Sequence, residues 1–355
     1  DHFGEIIWAS LAKNFNKDHR YYENDARKQD FNTFLKLNYE LSDGLYIFGD
    51  LQYRNIVYDF EGLGMINNEV VPLDQRAVFH FWNPKAGMLY DITSAHQTYL
   101  FFGISNREPV RRDFTESSPE SRPRHETLRN LELGYKFNSK GFLAGINIYL
   151  MDYIDQLILT GEINDVGGFT RTNIDRSYRM GVELESAWRI NSFAELSGNI
   201  SFSRNKIPEF TEYSDVYDEN WNWTGVDVQT YTDTDIAFSP SVVGSGKISI
   251  FPVENASVSL LGKYVSSQYI DNTMSNERML DAYFVNDLRV SYVIRNSLFR
   301  ELELSVAVNN IFDTDYITNA WIYKGVLGDS GLVTIEDGYF PQAGRHVLAG
   351  VRLRL

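Results

Sequence analysis

Apolar and polar residues alternate one by one in short runs along nearly the whole chain. The last run is the plainest. Between Val347 and Leu355 every odd position is apolar (Val347, Ala349, Val351, Leu353, Leu355), while Arg352 and Arg354 fall on even positions. A period of two sends successive side chains to opposite faces, so this is a strand with one oily and one charged face. Thr33, Leu35, Leu37, Tyr39 and Leu41 alternate in the same way with Phe34, Lys36, Asn38 and Glu40. Ser42-Asp43-Gly44 then supplies a hairpin turn into Ile47, Gly49, Leu51 and Tyr53. The same pattern predicts strands over 76–92, 98–104, 131–137, 144–150, 178–188, 196–202, 246–250, 258–264, 288–292 and 302–308, about 13 strands in all. At Asn83-Pro84 the apolar phase changes, and proline cannot donate to a ladder, which predicts a bulge there.

The connections fall into two length classes. Short turns at 42–44, 138–141, 191–192 and 252–255 alternate with long segments at 60–75, 106–124, 161–168, 207–236, 266–280 and 310–338, all expected to be loops. Charges on the strands keep to one parity. Short turns at one end, long loops at the other and one oily face per strand are the pattern of an outer-membrane barrel. A β-sandwich or propeller also alternates, but it would not sort its loops this way, and no repeat of 40–50 residues is present. The predicted fold is all-β, a transmembrane antiparallel β-barrel, the closed form in which strands satisfy their backbone groups in lipid.

Composition agrees with this picture. The 355 residues include no cysteine, which removes disulfide frameworks and thiolate metal sites. Aromatics make up 14% of the chain, mean hydropathy is −0.32, and no apolar run approaches the ~20 residues of a membrane helix. A net charge of −15 argues against nucleic-acid binding, which needs a basic surface. Asp1 is not an initiator, and no basic segment followed by an apolar one opens the chain. Either a signal has been removed or the sequence starts inside a longer protein.

Asn309-Asn310-Ile311-Phe312-Asp313, then a loop, then Tyr339-Phe340-Pro341-Gln342-Ala343-Gly344-Arg345 and the terminal strand resemble the C-terminal signature of TonB-dependent outer-membrane receptors. Phe48-Gly49-Asp50-Leu51-Gln52-Tyr53-Arg54, Asn83-Pro84-Lys85-Ala86-Gly87, Ser105-Asn106-Arg107-Glu108-Pro109 and Met151-Asp152-Tyr153-Ile154-Asp155-Gln156-Leu157 resemble barrel segments of the same family, in its Bacteroidota form. One departure is Leu355, where such barrels usually end in an aromatic residue.

The resemblance implies a 22-stranded barrel threaded by an N-terminal plug. Bacterial barrels have even strand numbers, so about 13 strands make part of one. The chain is then expected to be the C-terminal portion of the barrel, with residues 1–30 an extracellular loop and 31–355 strands and loops. The plug and about nine strands lie elsewhere, and the edges at 31–41 and 345–355 are not neighbours. The implied function is energised import of a scarce nutrient, a ferric siderophore or other iron chelate being favoured. Alternatives are a cobalamin, haem or oligosaccharide receptor, or a passive porin-like channel. Implied partners are the TonB-ExbB-ExbD complex acting through the plug, the plug itself, the remaining strands, outer-membrane lipids and, as in some transporters of this kind, a surface lipoprotein. No enzyme activity, cofactor or resident metal is expected. Serine and cysteine nucleophile motifs and a Gly-rich phosphate loop are absent, and the six histidines lack metal spacing.

Several residue groups are candidates for roles. Tyr39, Tyr90, Phe137, Trp188 and Tyr292 read as an interfacial aromatic girdle near the short-turn end. Arg54, Arg179, Glu183, Glu185, Arg289, Arg352 and Arg354 fall on the polar parity and would line the lumen, where the resemblance places a plug. Residues 209–235 hold eight carboxylates and no Lys or Arg, interleaved with aromatics. Tyr213, Tyr217, Trp221, Trp223 and Tyr231, together with Trp321 and Tyr323 of the 310–338 segment, are the candidate ligand contacts. Aromatic faces beside carboxylates suit a planar, cationic or sugar-like ligand, and the plain alternative is a solvated acidic loop. Arg107, Arg111, Arg112, Arg122 and Arg124 could meet an anion or pair with other loops. Asp233-Thr234-Asp235 and Asp313-Thr314-Asp315 offer oxygens to calcium without the spacing of a known loop.

Overall fold

The computed structural model describes residues 23–66, 69–115, 122–163, 169–220, 222–295, 300–328 and 332–354. In chain order the elements are β1 (Glu23–Ser42), β2 (Leu45–Ile66), β3 (Glu69–Pro72), β4 (Gln75–Thr93), β5 (His96–Arg107), the short helix α1 (Arg111–Thr115), β6 (Glu126–Ser139) and β7 (Phe142–Ile163). Then come β8 (Phe169–Arg189), β9 (Ala194–Tyr217), β10 (Trp223–Asp235), β11 (Val242–Ile250), β12 (Ala256–Val265) and the small β13 (Gln268–Tyr269) and β14 (Met279–Leu280). The last five are β15 (Tyr283–Ile294), β16 (Glu301–Asn309), β17 (Ile317–Leu327), β18 (Leu332–Pro341) and β19 (His346–Arg354).

The main sheet has 17 strands, of which β3, β10, β17 and β18 are outer extensions. The other thirteen form an antiparallel wall in the order β1-β2-β4-β5-β6-β7-β8-β9-β11-β12-β15-β16-β19, and they coincide with the strands expected from alternation. Tight turns close its lower end; Gly141, at φ 83°, takes the left-handed conformation that the β6–β7 turn requires. Among the described residues β1 pairs only with β2 and β19 only with β16, so the wall is an open sheet with two free edges, as the odd strand count required.

The wall is curved. One hollow of about 720 Å³ touches strands from β7 to β19 and is lined by Glu185, Asn199, Lys247, Lys263 and Asp287, which marks the polar parity as the concave face. Hydroxyl and amide pairs stitch that face across strands: Ser245 to Asn199 at 2.6 Å, Ser249 with Ser259 at 2.8 Å and Ser257 with Ser291 at 2.7 Å. Leu184, Ile200, Leu302, Leu304, Val347, Val351 and Leu353 lie on the opposite, convex face. Leu184, Leu304, Val347, Val351 and Leu353 there rank among the exposed large apolar side chains. Tyr39, Tyr90, Trp188 and Tyr292 are likewise exposed on this face near the short turns. Phe142 stands between Phe137, at 6.0 Å, and Trp188, at 6.4 Å between ring centres.

The fold departs from the expected bulge and from several of the expected loops. Asn83 and Pro84 pair in regular register with Gln52 and Leu51, so there is no bulge. The apolar phase changes there because the inner face above Asn83 is itself oily: Phe60, Ala77 and Phe114 of α1 form a buried cluster with Phe79 against it. Proline fits because the β4–β5 ladder stops at Lys85, above which the Asn83 side-chain oxygen accepts the Asn106 N–H at 2.9 Å. The expected loops at 207–236 and 310–338 are largely the hairpins β9–β10 and β17–β18. Within 106–124 lies α1, and within 266–280 the β13–β14 pair. Residues 23–30 of the expected N-terminal loop already belong to β1; residues 1–22 lie outside the described residues.

Candidate functional site

The signature segment organises the approach to the mouth. Asn310, 3% exposed and at φ 49°, accepts the Thr314 N–H at 2.9 Å and donates to the Thr314 and Ala343 carbonyls, while its own N–H meets Asp287 Oδ1 at 3.0 Å. Asp313 Oδ1 accepts the Arg345 N–H at 2.6 Å, and a Cβ on Gly344 would stand 2.9 Å from that oxygen. These contacts tie the start of the β17–β18 segment to its return before β19. Both aspartates of 313–315 were calcium candidates; Asp313 is instead committed to Arg345. Asp233 and Asp235 flank Lys206, and no metal-holding group of His, Asp and Glu occurs among the described residues.

The β17–β18 hairpin leaves the wall between β16 and β19. Yet Gly325, Val326 and Leu327 of β17 pair in parallel with Asp215, Val216 and Tyr217 of β9, and Ile322 with Glu162 of β7. With β15, β12 and β11 standing between β16 and β9, the hairpin must lean across the concave side. Ala320 and Ile322 of the hairpin pack with Ile270 and Leu280 in a buried cluster.

A buried polar network fixes the hairpin there. Lys324 Nζ lies 2.7 Å from Glu212 Oε2, with only 4% and 7% of the two side chains exposed. Arg278 reaches Glu212 at 3.5 Å and Asp271 at 2.6 Å. The Tyr231 hydroxyl donates toward Glu212 at 3.2 Å and Gln229 at 2.7 Å. Burial, and then the Glu212 charge, push the Tyr231 phenol up to about 12, so it stays a neutral donor. Asn272, fully buried, accepts the Ala237 N–H and donates to the Leu159 carbonyl, both at 2.8 Å. Two cations and two carboxylates in one dry cluster balance in charge, the condition under which such groups tolerate burial.

Alternation did not reveal Glu212, Asp271, Arg278 or Lys324 as partners. The available signal was that 209–235 contains acids and no base, so any buried acid there needed a cation from another segment. Of the expected ligand contacts, the hydroxyls of Tyr217 and Tyr323 meet at 3.2 Å, and Tyr231 joins the network. Trp321 is half-buried against Gly338 of the facing strand. Tyr213 is 64% exposed on the hairpin face turned away from Glu212, and is not gathered with the others. Trp223 opens β10 opposite Tyr217, and Trp221 lies outside the described residues.

The expected lumen residues all lie on the concave face. Arg54 binds Asp30 and Glu108, the latter at 3.0 Å, and Arg179 donates to Ser239 at 2.9 Å. Glu183 accepts from Asn147 at 3.2 Å, and Glu185 lines the central hollow. Arg289 meets Asp287 at 3.5 Å, Arg352 meets Glu303 at 3.4 Å and Arg354 meets Glu301 at 3.6 Å. Loop pairing accounts for much of the 106–124 arginine group: Arg107 binds Glu126 at 3.1 Å, Arg111 binds Asn24, and Arg124 binds Asp155 at 3.0 Å.

Among solved structures, the ferric-catecholate import receptor Fiu from E. coli K12 matches with a TM-score of 0.67 and 16% identity, over 94% of this chain and 45% of that one. The siderophore receptor PiuA from Acinetobacter baumannii matches at 0.69 and 15%, over 92% and 43%. The ferric citrate transporter FecA in its unliganded form matches at 0.68 and 14%, over 96% and 47%. At these identities the likeness is one of fold, and the chain spans under half the length of each receptor. No curated protein sequence matches it. The family described as TonB dependent receptor-like, beta-barrel matches residues 7–311, and on that match, joined to the open antiparallel wall and its inturned hairpin, the chain belongs to the TonB-dependent receptor β-barrel family.

Proposed function

We propose that this chain is a C-terminal part of an outer-membrane barrel that imports a scarce nutrient with energy delivered through TonB, and that the cargo is an iron chelate. One observation supports this above the rest: a hairpin is drawn across the concave side of a wide, polar-lined wall and held there by buried charges, which restricts free passage. A transporter of this kind makes and breaks no bond in its cargo. The concave face would meet a plug through Arg179, Glu183, Glu185, Arg289, Arg352 and Arg354, and the plug would engage the TonB-ExbB-ExbD complex. Iron is favoured because the matched receptors named above are, by their names, receptors for ferric or siderophore cargo.

The vestibule would combine the upper part of β9–β10 with β17–β18, using Tyr217, Tyr231, Trp321 and Tyr323 together with Trp221 and Trp223. Growth of a deletion strain on defined ferric chelates tests the cargo. Loss of growth on one chelate, restored by the full-length gene only when TonB is intact, is the expected result. Uptake that persists without TonB would make the protein a passive channel, and unchanged growth on every iron source would remove iron as the cargo.

A further inference from the structure

The convex face of the wall changes character along a sharp line. Following hydrogen-bonded neighbours from β5 to β9, one row of outward side chains is Leu100, Leu133, Ile148, Val182 and Phe202. The next row toward the long-loop end is Phe102, Leu131, Leu150, Met180 and then Arg204. One step higher the row reads Ile104, Arg129, Asp152, Tyr178 and Lys206, with Arg176 above it opposite Ile154. Charge therefore begins where the apolar band ends.

The cations on this strip are loosely held. Arg129 and Arg176 share the single carboxylate of Asp152, at 3.7 and 3.3 Å, and Arg204 meets Asp233 at 3.4 Å. Their side chains are 50%, 66% and 57% exposed. Lys206 is different: it is 12% exposed and closes on Asp235 at 3.0 Å. A guanidinium carries five N–H donors in a planar fork, so two guanidinia on one carboxylate leave most of their donors unfilled. Phosphate oxygens match that fork, and the strip sets Arg129, Arg176, Arg204 and Lys206 against only Asp152, Asp233 and Asp235, a positive excess on a chain of net charge −15.

We propose that Arg129, Arg176 and Arg204 form a docking strip for the phosphate-bearing headgroup of an outer-leaflet lipid, whose acyl chains lie on Leu131, Leu150 and Met180 directly below. The inference rests on the membrane placement proposed above. Continuity with the apolar rows selects a lipid over a soluble anion, because the cations stand at the height where a chain lying on those rows would place its headgroup. Tyr178, set between the cations, supplies an amphipathic ring at the same depth.

The test uses full-length receptor in mild detergent, with bound lipid counted by native mass spectrometry. Three probes are compared: a phosphorylated glycolipid, the same lipid stripped of phosphate, and inorganic phosphate. The phosphorylated lipid should be retained about ten-fold or more better than the stripped one, with inorganic phosphate not retained. The triple variant Arg129→Gln, Arg176→Gln, Arg204→Gln should lose retention by about ten-fold or more. The matching triple Lys variant should keep most of it, and Lys140→Gln, at the opposite end of β6, should keep all of it. Undiminished retention in the Gln triple variant, equal binding of the stripped lipid, or binding of inorganic phosphate alone would each overturn the proposal. Lipid retention does not depend on transport, so a receptor that holds the lipid but imports nothing would sink only the import reading.

Discussion

Lys324 and Glu212 form an ion pair at 2.7 Å in which both side chains are almost wholly buried, and they belong to two hairpins whose parent strands stand apart in the wall. Removing one partner leaves the other charged in a dry site, which costs about 3–5 kcal/mol in comparable pairs. The pair joins hairpins rather than wall strands, so the cost falls on local opening. Lys324→Met should therefore speed amide exchange in 317–328 and 209–217 by about two orders of magnitude or more, with wall amides unchanged. Adding Glu212→Gln should recover part of the protection. Exchange measured by mass spectrometry that stays at the wild-type rate in the single variant would show that the pair does not hold the hairpin.

Tyr231 gives the same contact a pH dependence. Its phenol, pushed up to about 12, lies above the ordinary value of about 10. The unfolded hairpin thus releases this proton first as pH rises, and folding is penalised from there on. The contribution is whole below about pH 10 and is lost on the way to 12. Absorbance titration should show a late phenolate step that Tyr231→Phe abolishes.

Asn310 serves a structural purpose by the same accounting. Replacing it with Ala strands the Thr314 N–H and the carbonyls it serves, and places a Cβ-bearing residue without a local hydrogen bond at positive φ. A buried orphan of this kind costs about 1–3 kcal/mol. The thermal midpoint of the full-length receptor in detergent should fall for Asn310→Ala, and much less for Asn38→Ala, an exposed residue of β1.

The convex face is tested at Leu184, which has paired neighbours on both sides, Ile146 and Ile200. If it faces lipid near the midplane, Leu184→Arg should cost about 2–4 kcal/mol in a bilayer unfolding assay, while Glu185→Arg on the opposite face should cost far less. Equal costs would mean that the two faces are misassigned.

A paired loss at the vestibule separates binding from folding. Trp221→Ala with Trp223→Ala should weaken cargo binding and leave the thermal midpoint nearly unchanged, since outer hairpins contribute little to the wall. Full affinity in that variant would return both residues to the solvated surface.

The wall was legible because lipid on one side and a polar interior on the other impose a strict contrast between neighbours, as in Leu302 and Glu303. Above the lipid band that contrast disappears. Along β9 the buried positions pass from Asn205 and Ile207 to Phe210, Glu212 and Ser214, so the buried parity switches across Pro208. No run of alternation survives such a switch, and both sides of the hairpin carry mixed residues, so it reads as a loop. The ion-pair network was hidden for a different reason. Glu212 looks like any surface acid until Lys324 and Arg278 arrive from segments far away in sequence. Asn310 and Asp313, by contrast, stood out by motif, though the motif does not say that their side chains bind backbone.

The unequal strand lengths have a consequence for encounter. β7, β8 and β9 run for 22, 21 and 24 residues, while β12, β16 and β19 have 10, 9 and 9, so the rim is stepped. The tall side ends in a hairpin carrying Asp215, Asp218, Glu219 and Asp227, with no Lys or Arg between 209 and 235. Within a screening length of about 8 Å at physiological salt, that hairpin repels an anion and attracts a cation. If the cargo is an anionic chelate as proposed, entry over the low side is favoured, and its association rate should rise with added salt as the repulsion is screened. On that proposal, cargoes of opposite charge would be sorted by the path they take before any contact tests their shape.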